Sequence, residues 1–492
     1  MKSILRAKKY LFAILIMGCF WGCFKKKEEK PLSKVLTINY SKPLFTVDGF
    51  GVNINPGQWN DGKLKPALDL LVDDLGSTLF RFDCTGLANW LDPTQRLING
   101  CWPDEYLDSV YTSEVFSNAW ATFRYLNEKG IEPFFNVSGK THPAMGKPDE
   151  PNRLADFDAY AEMIATMLEW AREKEGLKFS LLAPFNETDL GYPEGPNVDA
   201  AGMRIVTKRI VEKLDEHGLT DINIIALDDA FRNFDKLDTL LTDTSYVNRV
   251  YAFATHIYGN GNDCETDKWY ESETEYAQFS KEIKASPFKN SSVWITEYGD
   301  LDQTGEIEFE FSWRSTRRIM KCFRDGFNAG VVWDAFDNFH MHDALWTEYG
   351  LLQTDTVNWK YSPRKRYYAA KQIFRYVKPG WKMVGISTPF SDEHGVLEKY
   401  YDSFRHIRTL AFVSPDGTDF TLVVMNGIES PVNLSINMEE FGSEITSKPV
   451  HLFVTDMEDN CAPNGVSRFK GKTVNAMLPV RSISTVTTLN EK

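Results

Sequence analysis

Phe179-Ser-Leu-Leu-Ala-Pro-Phe-Asn-Glu187 and Ser292-Val-Trp-Ile-Thr-Glu297-Tyr-Gly299 decide the reading of this chain. Each is an apolar, strand-like run that leads into a glutamate. Runs of this length without polar alternation are the signature of strands buried on both faces, as in a parallel sheet wrapped by helices.

Working outward from these two, short apolar strands alternate with amphipathic helices from Val47 to about Val377. The predicted strands are Val47–Asn53, Ser77–Asp83, Glu132–Ser138, Phe179–Glu187, Ile222–Asp228, Val250–Tyr258, Ser292–Gly299 and Gly330–Phe336. Helices between them are marked by Pro66 in a first turn with Gly76 past the end, and by Val115, Ala119, Phe123 and Leu126 ahead of Gly130. Ile164, Met167, Leu168 and Ala171 repeat that spacing, as do Ile205, Ile210 and Leu214 ahead of Gly218. Eight alternations predict an α/β fold, a closed (β/α)8 TIM barrel over residues 47–378. Ser138-Gly139-Lys140-Thr141 echoes a phosphate loop but lacks the upstream glycine at the required spacing.

After Lys378-Pro379-Gly380 the helical period disappears. Alternating segments at Arg408–Val413, Asp419–Asn426, Val432–Met438, His451–Thr455 and Val480–Leu489, split by turns such as Asn426-Gly427, predict an attached C-terminal β-sandwich over 379–492. Residues 35–46, beginning Val35-Leu-Thr-Ile-Asn-Tyr40, are strand-like with no helix after them and are expected to join that sandwich.

The N-terminus has basic residues Lys2, Arg6, Lys8 and Lys9, an apolar run Tyr10–Met17, and two Gly-Cys pairs. Residues 1–22 read as a secretory signal, too short for a membrane span. A small residue before cysteine resembles the bacterial lipobox, which predicts lipidation at Cys19 or Cys23 and a polar tether over 23–34, rich in lysine and glutamate. The expected location is the bacterial cell envelope, anchored in the outer membrane on its periplasmic or surface side. Losing the four basic residues of 1–22 takes the formal net charge from −14 to −18. So acidic a surface disfavours nucleic acid as a partner and leaves a neutral glycan open. Five further cysteines (Cys84, Cys101, Cys264, Cys322 and Cys461) show no CxxC spacing, which argues against a zinc site or a disulfide scaffold. Cys84 and Cys101 flank one loop and are positioned for a bridge. No metal or cofactor is expected, since His340-Met-His342-Asp343 lacks a third spaced ligand.

In a parallel barrel the C-terminal strand ends form the active face. Collected there are Arg81, Asn136, Asn186, Glu187, His256, Tyr258, Glu297 and Trp333. Two glutamates facing one cleft suit glycosidic cleavage, in which one carboxylic acid protonates the leaving group while an ionised carboxylate faces an oxocarbenium-like carbon. Placement on the fourth and seventh of eight strands predicts the short separation of a retaining mechanism. Arg81 and Tyr258 are the expected cation and hydrogen-bond donor for the ionised member, and Trp333 the flat face for a sugar ring. Asp228 and Asp229 end the fifth strand but could equally open the next helix, as Asp does at an N-cap, and are left out of the expected site.

Asn-Glu on the fourth strand, Glu on the seventh, Arg on the second, His-x-Tyr on the sixth and Trp on the eighth resemble the clan A glycoside hydrolases, family 30 above all. The opening Val47-Asp-Gly-Phe-Gly51 and the closing Leu478-Pro-Val-Arg-Ser-Ile-Ser-Thr485 resemble the same family. The likeness implies that Glu187 is the acid/base and Glu297 the nucleophile, and that Arg81, Asn186, Tyr258 and Trp333 line the sugar subsite. The chain departs from family 30 in the loop after the third strand, Asn136-Val-Ser-Gly-Lys-Thr-His-Pro-Ala-Met145, and in Asn53-Ile-Asn-Pro-Gly-Gln-Trp59. The resulting expectation is a retaining hydrolase of β-glucan, β-galactan or xylan. A catalytically silent glycan-binding lipoprotein and a hydrolase of another clan A family are the alternatives.

Overall fold

Eight parallel strands close into a barrel: β2 (Gly49–Ile54), β3 (Leu79–Asp83), β4 (Phe134–Asn136), β5 (Leu181–Ala183), β6 (Asn223–Asp229), β7 (Val250–Gly259), β8 (Ser292–Asp300) and β9 (Ala329–Val332). β9 pairs back onto β2, so no edge remains. A preceding strand, β1 (Leu32–Thr46), lies outside the barrel. This computed structural model describes residues 30–55, 58–83, 91–259, 275–301, 309–340, 344–387 and 407–490. Cys19, Cys23, Cys84, His342 and Asp343 lie outside the described residues.

The barrel interior is filled by Phe134, Ala183, Ile225, Ala252, Ala254, Trp294, Ala329 and Val331. The alanines make room for the indole of Trp294, whose Nε1 donates to Asp48 Oδ2 at 2.7 Å. Several strands are shorter than their apolar runs. β5 stops at Ala183 because Pro184 has no N–H for the ladder, and the segment leading to Glu187 continues as an ordered loop over the barrel mouth.

Two predicted helix faces hold except at their first residue. Helix Glu114–Glu128 buries Phe116, Ala119, Trp120, Phe123 and Leu126 and leaves Val115 exposed; helix Ala200–Glu216 buries Val206, Ile210 and Leu214 and exposes Ile205. In the first case Phe116 and Trp120, with more apolar area to remove from water, set the phase.

The C-terminal part is one continuous nine-stranded sheet, in the order 462–468, 449–455, 482–487, 420–426, 407–413, 382–387, β1, 432–437 and 473–478. β1 runs antiparallel to Lys382–Ser387 and parallel to Val432–Asn437. The sheet curls until its two edge strands, consecutive in the chain, meet where Ser467 Oγ donates to the Asn475 carbonyl at 2.8 Å. Ala462–Arg468 escaped the sequence reading because it is a mostly exposed edge strand carrying Pro463 and Gly465, with no apolar alternation. Barrel and sheet share one apolar core, in which Trp381, Met383, Leu410, Phe412, Val423, Met425 and Ile483 pack with the barrel helices.

Candidate active site

Alternation along the strands delivers most of the site. On β3, Phe80 and Phe82 pack outward among the helices, which turns Arg81 inward; on β4, Phe135 faces out and Asn136 in. On β7 the inward positions run Ala252, Ala254, His256 and Tyr258. The last two therefore stand at the mouth.

Glu297 does not follow that rule. Ile295 packs outward, and strict period two would send Glu297 the same way. The register instead slips by one residue, from Thr255 opposite Ile295 to His256 opposite Glu297. The inserted residue, Thr296, re-aims the glutamate into the barrel. A similar slip occurs on β6 between Leu227 and Asp229, with Leu227 (φ +71°) and Asp228 (φ +64°) left-handed, so that Asp228 rather than Leu227 enters the site. Glu187 is left-handed as well (φ +43°). A Cβ on Gly195 would fall 1.9 Å from the Asn186 carbonyl oxygen, so glycine is what lets the following loop close against the Asn-Glu pair.

These devices produce one buried hydrogen-bonded network. Arg81, fully buried, donates from Nη1 to Glu297 Oε1 at 2.6 Å and Asn53 Oδ1 at 2.8 Å, and from Nη2 to Asn186 Oδ1 at 2.6 Å and Asp228 Oδ2 at 2.9 Å. The hydroxyl of Tyr258 donates to Glu297 Oε2. His256 sets Nδ1 2.8 Å from Glu187 Oε1 and 3.5 Å from Glu297 Oε2, with Nε2 3.2 Å from Asp228 Oδ1. Asp228 also accepts from Thr296 Oγ1 and, at 3.2 Å, from Asn136 Nδ2.

Charge balance follows from these contacts. Burial alone raises Asp228, but Arg81 and His256 outweigh it and hold the carboxyl at about 2. Burial opposes charge on His256, yet Glu297, Asp228 and Glu187 push its pKa well above the ordinary histidine value, so the ring is an imidazolium near neutrality. Burial raises Glu297 above the usual carboxylate range; His256 and Arg81 pull it back, Glu187 pushes it further up, and the Tyr258 hydroxyl opposes. Arg81 and His256 are two cations against one fixed anion, Asp228.

The sequence matches no protein-family profile and no curated protein. Solved structures do match. A family 30 xylanase from Clostridium acetobutylicum superposes with TM-score 0.67 at 18% identity, over 92% of this chain and 98% of that one. A family 30 endoxylanase from Clostridium papyrosolvens gives 0.66 at 17%, over 92% and 99%. The chain has the fold of family 30 glycoside hydrolases. An endo-β1,6-glucanase is also similar, with TM-score 0.63 at 15% identity over 94% of this chain and 96% of that one.

Within this family 30 fold, the structure brings Glu187, Glu297, Arg81, Asn136, Asn186, His256 and Tyr258 into one contact network. Arg81, Asn136 and His256 are wholly buried, and the contacts of Asn136 and His256 run to neighbouring carboxylates and carbonyls. Trp333, half-buried, stands at the end of β9 with its ring 5.6 Å from that of His340 and its Nε1 3.4 Å from Tyr349 Oη. Asp228, a strand-end residue left out of the expected site as a possible helix start, sits at the centre; the next helix begins at Phe234, capped by Asn233. Asn53 and Thr296 also went unremarked, since a strand asparagine and a strand threonine carry no sequence signal of their own. Glu187, His256 and Glu297 place one potential ligand atom each within 4.8 Å of one another, but Arg81 and the imidazolium already supply positive charge there, a poor setting for a divalent cation.

Proposed function

We propose that the chain is an exported, lipid-anchored retaining β-glycoside hydrolase that cleaves a β-linked poly- or oligosaccharide by double displacement. The observation that carries the reading is the approach of Glu187 and Glu297, an oxygen of each within 4.8 Å. So short an approach favours the roughly 5 to 5.5 Å between the carboxyl groups of retaining enzymes over the ~6.5 to 9.5 Å that admits a water between them.

The two glutamates are held differently, which supports different roles. Glu297 has a cation on one oxygen and a phenol on the other, so its plane is fixed and its anion stabilised for attack on the anomeric carbon. Glu187, on the opposing side, protonates the departing glycosidic oxygen. Deprotonated by that step, it then takes a proton from water, whose oxygen displaces Glu297 and restores the original anomeric configuration. Trp333 offers the apolar face on which a sugar ring stacks.

Xylan and β-1,6-glucan are the first substrates to test, because similar folds carry those activities in a xylanase and an endo-β1,6-glucanase; β-galactan is the third. Glu297→Gln abolishes turnover of every substrate. Glu187→Gln slows substrates with poor leaving groups by about 10²- to 10⁴-fold, spares activated aryl glycosides in the first step, and is rescued by azide. NMR of the first-formed product shows retained configuration; an inverted product, or near-normal rates for Glu297→Gln, rejects the mechanism. Replacement of Cys19 and Cys23 by serine releases the protein from the membrane fraction if the anchor is correctly assigned.

The catalytically silent alternative is disfavoured by the same pair. A binding protein has no use for two buried carboxylates facing each other in the floor of its cleft.

A further inference from the structure

Directly behind Glu187 lies a second buried charged group that does not belong to the network just described. Lys236, in the first turn of helix Phe234–Leu241, is only 4% exposed; Asp229 and Thr188 are 1% and 3% exposed. Lys236 Nζ donates to Thr188 Oγ1 at 2.6 Å and to Asp229 Oδ2 at 3.0 Å, and Thr188 Oγ1 donates to Asp229 Oδ1 at 2.8 Å. The neighbouring residues are bound across the same gap. Glu187 N donates to the Asp228 carbonyl at 2.8 Å, and Asp189 accepts from the backbone N–H groups of Ala230 at 3.0 Å and Phe231 at 2.9 Å. Three consecutive residues, Glu187, Thr188 and Asp189, are thereby laced to the segment that leaves β6.

The lacing holds a strained backbone. A glutamate at φ +43° is strained relative to the right-handed region, and Leu227 and Asp228 opposite are left-handed too. A lysine ammonium withdrawn from water is costly unless it is well paired. Here that cost falls at the residue immediately after Glu187, where backbone conformation decides the direction of the carboxyl.

We propose that Lys236, acting through Thr188 and Asp229, is a positioning residue for the general-acid carboxyl of Glu187. The inference rests on the glycosidase reading above. Lys236 touches no substrate; it keeps the acid aimed at the glycosidic oxygen.

The test uses the full-length protein with 2,4-dinitrophenyl, 4-nitrophenyl and phenyl β-xylobiosides, β-gentiobiosides and β-galactobiosides. Misplacing a catalytic group by about 1 Å can cost ~10²-fold, so Lys236→Met lowers kcat on the phenyl glycosides by roughly tenfold to a hundredfold at nearly constant KM. On the 2,4-dinitrophenyl glycosides, whose leaving group needs little protonation, the loss is only a few-fold. In a Glu187→Gln background the same substitution adds almost nothing, because no acid remains to be misplaced. Thr188→Val, which keeps the shape and removes the hydroxyl, gives the same leaving-group pattern and serves if Lys236→Met does not fold. Equal losses across the series, or full additivity with Glu187→Gln, overturn the positioning role. A wild-type protein inactive on every member, or a Glu187→Gln variant without leaving-group dependence, instead removes the glycosidase reading and this inference with it.

Discussion

Asp228 is the residue on which both halves of the site lean. One oxygen meets Arg81, which holds Glu297; the other meets His256, which holds Glu187. A carboxylate held at about 2 is a permanent anion at any working pH, and it is what allows an arginine and an imidazolium to be buried side by side. Replacing it by asparagine removes one negative charge and leaves two cations facing the glutamates. Glu297, now raised less by its surroundings, ionises at lower pH. The acid limb of the kcat/KM profile, which in the proposed mechanism reports ionisation of Glu297, therefore moves down by about one unit in Asp228→Asn. A limb that stays in place or moves up contradicts the charge balance proposed for the site.

At the scale of elements, the bulges of β6 and β8 convert ordinary strands into a floor that presents two adjacent acidic side chains inward. The helices outside hold the strands at the spacing this requires. Helices Phe157–Glu173 and Ala200–Glu216 are clasped where His217, at the C-terminal cap of the second, meets Glu169 Oε2 at 2.8 Å and Glu162 Oε2 at 3.4 Å. The hydrogen bond to Glu162 is the main cause of a pKa raised to about 9, with burial opposing and Glu169 adding to it. A raised pKa means that the folded state binds this proton more tightly than the unfolded chain. The stabilisation is complete below about 6.5, where both states are protonated, and is lost as pH rises through about 9. Thermal unfolding at pH 6 and pH 9.5 shows a fall in Tm on the alkaline side that is smaller in His217→Asn; identical pH dependence in the two proteins rules the clasp out.

The curled sheet has an inner cluster of its own, but its outer face shares the largest core with the barrel helices. Phe412 of the sheet is fully buried with its ring 6.2 Å from that of Phe323 on a barrel helix. Beside it, Gln372 Nε2 donates to Thr455 Oγ1 at 2.9 Å and Thr421 Oγ1 to the Tyr376 carbonyl at 2.7 Å. Removing the Phe412 ring leaves a cavity worth about 3 to 5 kcal/mol, and because the core is shared, barrel and sheet destabilise together. Calorimetry of Phe412→Ala shows a single transition at lower temperature. Two separated transitions, with the barrel at its original Tm, show that the sheet is an independent domain.

Local chemistry sufficed for the barrel, because eight apolar runs punctuated by helical stripes admit few other packings, and it sufficed to place Arg81, Asn136, His256 and Tyr258 on inward positions by simple alternation. Glu187 and Glu297 were legible as strand-end carboxylates. Their orientation was not: it depends on a one-residue slip between β7 and β8 and on left-handed backbone at Glu187, Leu227 and Asp228. Such departures are stabilised by contacts from residues distant in sequence and leave no periodic trace in the chain. For the same reason Asp228 could pass for a helix-opening residue and Lys236 carried no signal, and the way the C-terminal β-domain closes, as one continuous curled sheet, was not legible. Periodicity along a chain records which side chains leave water; which buried polar groups meet one another is settled only when the strands and helices have closed around them.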